Sequence, residues 1–245
     1  MTLTVLGCSG SYPGPSQAAS GYLVEVDGFH LLVDCGSGVA ARLQEHVSLG
    51  DVDAVVLTHC HPDHWVDLMS LRTAWRYALG REGVPVFGTA ETLEMVEKIA
   101  QSGAAPTLRW TVVSDGSEVE VGPMRLRFAR TEHYVETLAV RVDHGEATLV
   151  YSADTGDAWS MADLADSPNL ALVESSFLER SEGERVLHLT PAEAARIARE
   201  ARARRLVLTH LLPGEDPSAH VAAAREVFNG PVEVAAPDRR WRVHV

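Results

Sequence analysis

The sequence predicts an α+β fold in which two β-sheets pack face to face and helices cover their outer sides. Two observations predict it. Strand-like runs precede helical runs in each half of the chain, and no linker or short-period repeat divides those halves. Elements segregated in this way bury their apolar faces as stacked layers around a shared core. A chain of 245 residues is long enough for one such domain spanning 1–245.

Each element follows from local pattern. "LTVLGC" (3–8) is a buried first strand, and "GYLVEVDGFHLLVDCG" (21–36) is a hairpin turning at Asp27-Gly28. Helical periodicity covers 38–48, and the short apolar run "DAVVLTH" (53–59) is an inner strand ending at His59. A helix is expected over 63–79, then the strand "VPVFGT" and the helix "AETLEMVEKIAQ". From 109 to 152 the pattern is mostly strands, with turns at Asp115-Gly116, Gly122-Pro123 and His144-Gly145. Alternation then returns: strand 170–174, helix 191–203, strand 205–209, helix 217–228, and strands 231–235 and 240–245.

Composition narrows the function classes. The 34 acidic residues outnumber the 21 basic ones, giving a net charge of −13, which disfavours a broad nucleic-acid surface. The arginines of "RIAREARARR" (196–205) fall at helical spacing among alanines and read as a solvated helix face. The start "MTLTVLGCSG" lacks the basic opening and apolar run of a signal peptide, and no stretch approaches the roughly 18–20 apolar residues of a membrane span. Three widely spaced cysteines argue against a disulfide framework, and a reducing cytoplasm is the expected location.

The chemistry concentrates in "THCHPDH" (58–64). His59 and His61 are two apart, so in extended chain both side chains project to the same side, while Cys60 points away as a packed thiol. Pro62 ends the strand, and Asp63 and His64 open the next helix, from which they can turn back toward the strand end. Imidazole and carboxylate are good ligands for zinc and its divalent neighbours. One cluster cannot complete two metal shells. Three further polar residues stand where apolar runs stop: His133 after 124–130, Asp154 after 147–152, and His210 after 205–209.

The set His59, His61, Asp63, His64, His133, Asp154 and His210 resembles the metallo-β-lactamase superfamily of binuclear hydrolases. The resemblance runs from "VDCG" (33–36) to His210 and implies a four-layer αββα sandwich binding two divalent metal ions. Zn²⁺ is the first expectation, with Mn²⁺ or Fe²⁺ as alternatives. By that analogy His59, His61 and His133 hold one metal, Asp63, His64 and His210 hold the other, and Asp154 bridges them. Asp34 matches the early aspartate that supports the site from behind. "LGCSGSYPGP", "YSADTG" and "HLTPAEAARIA" (188–198) resemble the tRNase Z and phosphodiesterase branch, in which the histidine at the position of His188 lies near the scissile phosphate. Thr190, with Pro191 and Glu193 after it, is also a good helix N-cap.

Only "YVETLAVRVDHGEATLVYSA" separates His133 from Asp154, and it reads as one hairpin with no room for a tRNA-gripping arm. The expectation is therefore a phosphodiesterase acting on cyclic nucleotides or similar small anionic phosphodiesters, with Asp63 and His188 as the candidate catalytic groups. An arm-less tRNA 3′-end endonuclease and a thioester or lactam hydrolase are the rivals, together with a metal-binding module that has lost catalysis. Family resemblance also suggests a homodimer. Glu174, at the end of "LALVE", is expected to support the site from outside the ligand set. His30, His46, His144, His220 and His244 are expected in solvent.

Overall fold

A computed structural model describes residues 1–100, 103–180 and 186–244. The first sheet has the order β15-β1-β3-β4-β5-β6-β7, from Arg240–Arg242, Thr2–Ser9, Gly21–Val26, Phe29–Val33, Ala54–Leu57, Val84–Gly88 and Leu108–Val112 respectively, with β2 (Ala18–Ala19) beside β1. The second sheet runs β14-β13-β12-β11-β10-β9-β8, from Val232–Val234, Leu206–Thr209, Leu170–Glu174, Ala147–Tyr151, Leu138–His144, Met124–Arg130 and Glu118–Val121. Two mixed sheets with flanking helices form the layered sandwich that the sequence predicts.

Successive strand residues explain the layering. Leu31, Val33, Val24 and Val56 point between the sheets and meet Leu126, Phe128, Val140 and Leu172 there. Their sequence neighbours Leu32, Leu23 and Val55 point outward against Leu43, Leu68, Leu71 and Trp75. Strands buried on both faces read as unbroken apolar runs, which is why "HLLV" and "AVVL" show no alternation. Beyond the second sheet, α5 (Pro191–Glu200) and α6 (Pro217–Arg225) cover Ala139, Val150 and Val173.

The expected turn at Asp27-Gly28 forms with both residues at positive φ (49° and 82°), as a two-residue hairpin of the first primed type requires. Two expectations need correction. The helix over 38–48 shrinks to α1 (Val39–Leu43), and the helix over 63–79 breaks into α2 (Pro62–Trp65), α3 (Leu68–Thr73) and a wide turn, Ala74–Ala78. The break follows from bonding: Asp67 donates its backbone N–H to Cys35 O, and its carboxylate accepts from the N–H groups of Gly38 and Ala40. Asp67 is thus committed to the chain after β4 rather than to a continuous helix. The end of the expected helix over "AETLEMVEKIAQ" and the last residue of strand 240–245 lie outside the described residues; α4 covers Ala90–Ile99.

The strands β4 to β7 run parallel, as do β11 to β14, so their carboxyl ends gather at one edge of the sandwich. There the sheets are stitched together: Gly10 N donates to Leu211 O at 2.9 Å, and Leu138 N donates to Thr58 O at 3.1 Å. No helix among the described residues is long and apolar enough to cross a membrane.

Candidate metal centre

All seven proposed ligands converge at that edge. His59 follows β5, Asp63 and His64 lie on α2, His133 follows β9, Asp154 follows β11 and His210 follows β13. In the first group, His61 Nδ1 lies 3.1 Å from His59 Nε2 and 3.2 Å from His133 Nε2. Asp154 Oδ2 is 3.6 Å from His59 Nε2 and 3.8 Å from His133 Nε2. In the second group, His210 Nε2 lies 3.2 Å from both His64 Nε2 and Asp63 Oδ2. Asp154 Oδ1 is 3.4 Å from His64 Nε2 and 3.3 Å from His210 Nε2.

These spacings fit a pair of cations. A tetrahedral ion with ligands at about 2.0–2.1 Å has ligand-to-ligand edges of about 3.3–3.4 Å. Asp154 presents one oxygen to each group, and its Oδ1 is buried with no hydrogen-bond donor. An orphaned buried carboxylate oxygen is costly unless a cation faces it. The donor set of imidazoles and carboxylates suits divalent metals, and both groups can hold an ion.

A second ring of contacts fixes four of the imidazoles, those of His59, His64, His133 and His210. His64 Nδ1–H donates to Asp34 Oδ2 at 2.7 Å, which leaves Nε2 facing the cluster. His133 Nδ1–H donates to Leu187 O at 3.0 Å, and His210 Nδ1–H donates to Ser176 Oγ at 3.0 Å. His59 Nδ1 bonds Thr58 Oγ1 at 3.1 Å, and Thr58 Oγ1 donates onward to Asp34 Oδ2 at 3.0 Å. Asp34 therefore supports two imidazoles. It also accepts from Thr58 N and from the Tyr151 hydroxyl.

Backbone geometry serves the same end. Asp34, Ala153 and His210 all adopt positive φ (58°, 52° and 61°), unusual for residues other than glycine. Gly36 has no room for a side chain, since a Cβ there would sit 1.8 Å from Asp63 O. At Gly10 a Cβ would meet His210 O at 2.4 Å. Gly10 and Gly36 are thus close-approach positions behind two of the clustered residues.

The electrostatics follow burial and charge. Burial, with His64 nearby, pushes His59 well below the usual histidine range, and burial also lowers His61 and His133. Burial would raise Asp63 and Asp154, but the surrounding imidazoles win and both are pushed down, keeping them ionised. His64 and His210 are raised despite burial, chiefly by Asp154 and Asp63.

His188 sits at the rim. Its Nδ1–H donates to Glu174 Oε1 at 3.0 Å and lies 4.0 Å from Asp154 Oδ2, and its ring stacks on His210 with centroids 5.6 Å apart. Burial would lower His188, but the bond to Glu174 and the nearby carboxylates outweigh it and raise it to about 9. Glu174 is wholly buried and accepts from His188, Thr155 N, Ser176 Oγ and Leu189 N. Thr190 caps α5 in a reciprocal capping box with Glu193. That box fixes the turn from which His188 projects, because Arg180 bonds both Glu193 Oε2 and His188 O at 2.8 Å.

Some residues at the site escaped the sequence reading. Thr58, Tyr151 and Ser176 each bond an imidazole or its carboxylate, and only their position at the end of an apolar run marks them. Cys60 is half-buried with its thiol toward Glu91, away from the ligand set. Of the five histidines expected in solvent, four need correction. His244 is exposed, His30, His46 and His144 are partly covered beside carboxylates, and His220 is wholly buried between Ser175 Oγ and Glu215 Oε2.

A family model described as the beta-lactamase superfamily domain matches residues 30–211, which span this cluster from strand β4 to His210. The chain belongs to the beta-lactamase superfamily. It is 33% identical to the probable metallo-hydrolase YhfI of Bacillus subtilis, over 98% of this chain and 99% of that one. The crystal structure of YhfI superposes with a TM-score of 0.91 at 32% identity, covering 98% of each chain. Ribonuclease Z of Methanopyrus kandleri is 33% identical over 97% of this chain and 96% of its own length. The superfamily fold and the His/Asp cluster are those of a metallo-hydrolase.

Proposed function

We propose that the chain is a binuclear metal-dependent phosphodiesterase acting on small anionic phosphodiesters such as cyclic nucleotides. One ion is assigned to His59, His61 and His133, the other to Asp63, His64 and His210, with Asp154 shared. When bound, such ions supply a water acidic enough to act at neutral pH and stabilise charge on phosphoryl oxygens. The protein's own contribution is positional. Asp34, Thr58, Ser176 and Leu187 O hold the imidazoles of His59, His64, His133 and His210 in the tautomer that leaves a lone pair toward the ions.

The observation that carries the phosphoester reading is the seat of His188. It is fixed by Glu174, stacked on His210 and 4.0 Å from Asp154, so it stands beside the reacting centre without being needed to close either group. From there it would pass a proton to the departing ester oxygen. The single hairpin β10–β11 between His133 and Asp154 supports a small substrate, since it offers no arm to grip a folded RNA. The Ribonuclease Z relative favours a second reading, cleavage of an RNA phosphodiester at its 3′ end.

A panel decides between them: cAMP, cGMP, bis(p-nitrophenyl) phosphate, pre-tRNA and a thioester, each with and without chelator. Chelator-sensitive turnover of the small phosphodiesters is expected. Thioester hydrolysis with no phosphodiester turnover overturns the proposal, and pre-tRNA cleavage alone selects the second reading.

A further inference from the structure

Tyr134 is 60% exposed, yet it is not a free surface side chain. Its hydroxyl accepts from Leu187 N at 3.1 Å, while Leu187 O accepts from His133 Nδ1 at 3.0 Å. The Tyr134 ring packs against the His133 ring at 64° with centroids 5.2 Å apart. Fixed at both ends, the ring keeps its orientation beside the metal groups, and His188 lies on the same rim, 5.1 Å from His133 between ring centroids. Single exposed aromatics are ordinary on protein surfaces. A tyrosine immobilised at its hydroxyl against a residue of the reacting centre is a different object, because its order is already fixed before a planar partner arrives.

We infer that Tyr134 is a specificity-determining residue, a stacking platform for a nucleobase of the phosphodiester substrate. This rests on the phosphodiesterase reading and narrows its substrates to nucleotides. Every base has a π-face, so one aromatic ring favours nucleotides over base-free sugar phosphates without selecting a particular base.

The test compares two ligands that share a phosphate and a ribose and differ by the base. Adenosine 5′-monophosphate and ribose 5-phosphate are titrated calorimetrically into metal-loaded wild type, Tyr134→Phe and Tyr134→Ala. Wild type is expected to favour the nucleotide. Tyr134→Ala is expected to cut that preference about tenfold, the order of one base–aromatic stack, and Tyr134→Phe, which keeps the ring against His133 but lacks the hydroxyl anchor, to lose less. Three results overturn the assignment: no preference in wild type, an equal loss in the Phe and Ala variants, or an equal weakening of both ligands in Tyr134→Ala. The middle result would make Tyr134 a clamp on Leu187 rather than a platform. Binding needs no turnover, so absent hydrolysis of bis(p-nitrophenyl) phosphate counts against the phosphodiesterase reading, while an absent base preference counts against this one.

Discussion

Replacing Asp34 by asparagine is predicted to damage metal binding much more than folding. The carboxylate is fully buried and accepts four bonds: Thr58 N at 2.9 Å on Oδ1, and His64 Nδ1, Thr58 Oγ1 and the Tyr151 hydroxyl at 2.7, 3.0 and 3.1 Å on Oδ2. In Asp34→Asn the amide oxygen keeps the bond from Thr58 N, and asparagine tolerates the positive φ of 58° as well as aspartate does. The two hydroxyls can reverse and accept from the new NH₂ group. His64 can accept only by moving its proton to Nε2, the atom 3.2 Å from His210 Nε2 that faces the second group. Loss of such a supporting partner costs about 10–100-fold in metal affinity. Alanine differs. It leaves four buried donors, Thr58 N, Thr58 Oγ1, His64 Nδ1 and the Tyr151 hydroxyl, without an acceptor, at about 1–3 kcal/mol each. The sum, about 4–12 kcal/mol, rivals the whole stability of a domain, about 5–15 kcal/mol. The assays are metal content by elemental analysis, metal affinity by calorimetry, and thermal denaturation. Asp34→Asn is expected to lose second-site affinity at a near-native melting temperature, and Asp34→Ala to fold poorly. Wild-type affinity for both ions in Asp34→Asn would refute the reasoning.

Three further outcomes follow from the same geometry. Asp154→Ala removes the carboxylate that the two groups share, so metal content should fall below two ions per chain by elemental analysis and chelator-sensitive hydrolysis should vanish; full activity would sink the binuclear assignment. His188→Ala should keep both ions while kcat drops about 10²–10⁴-fold, the usual worth of a positioned proton donor. A variant that lost its metal instead would show that His188 is a ligand. Gly36→Ala would drive a methyl to 1.8 Å from Asp63 O, so α2 must shift; the expected result is a lowered melting temperature together with weakened metal binding, and native values for both would contradict the close approach.

Which parts of this centre can be read from a sequence depends on how rare their chemistry is. Three histidines and an aspartate within His59–His64 are unusual, and the strand ends that carry His133, Asp154 and His210 are marked by apolar runs that stop abruptly. Both signals are local, so the convergence of distant residues could be inferred before any fold was seen. Thr58, Tyr151 and Ser176 also stand at strand ends, but their hydroxyl chemistry does not single them out. Hydroxyl residues are common at strand ends, and their role exists only because parallel strands bring them to one edge. The misplacement of His220 has the same origin. Read along the chain it is a polar residue on an amphipathic helix, but α6 turns it inward, where Ser175 and Glu215 satisfy both ring nitrogens. Ser175 lies next to Ser176, which bonds His210 and Glu174, and Glu215 lies on the loop that follows His210. A buried histidine on a helix far along the sequence thus ties together the two loops that hold His210 in place. Local periodicity carries no trace of such a tie, because what decides it is the register of β12 beside β13, with Glu174 opposite Thr209.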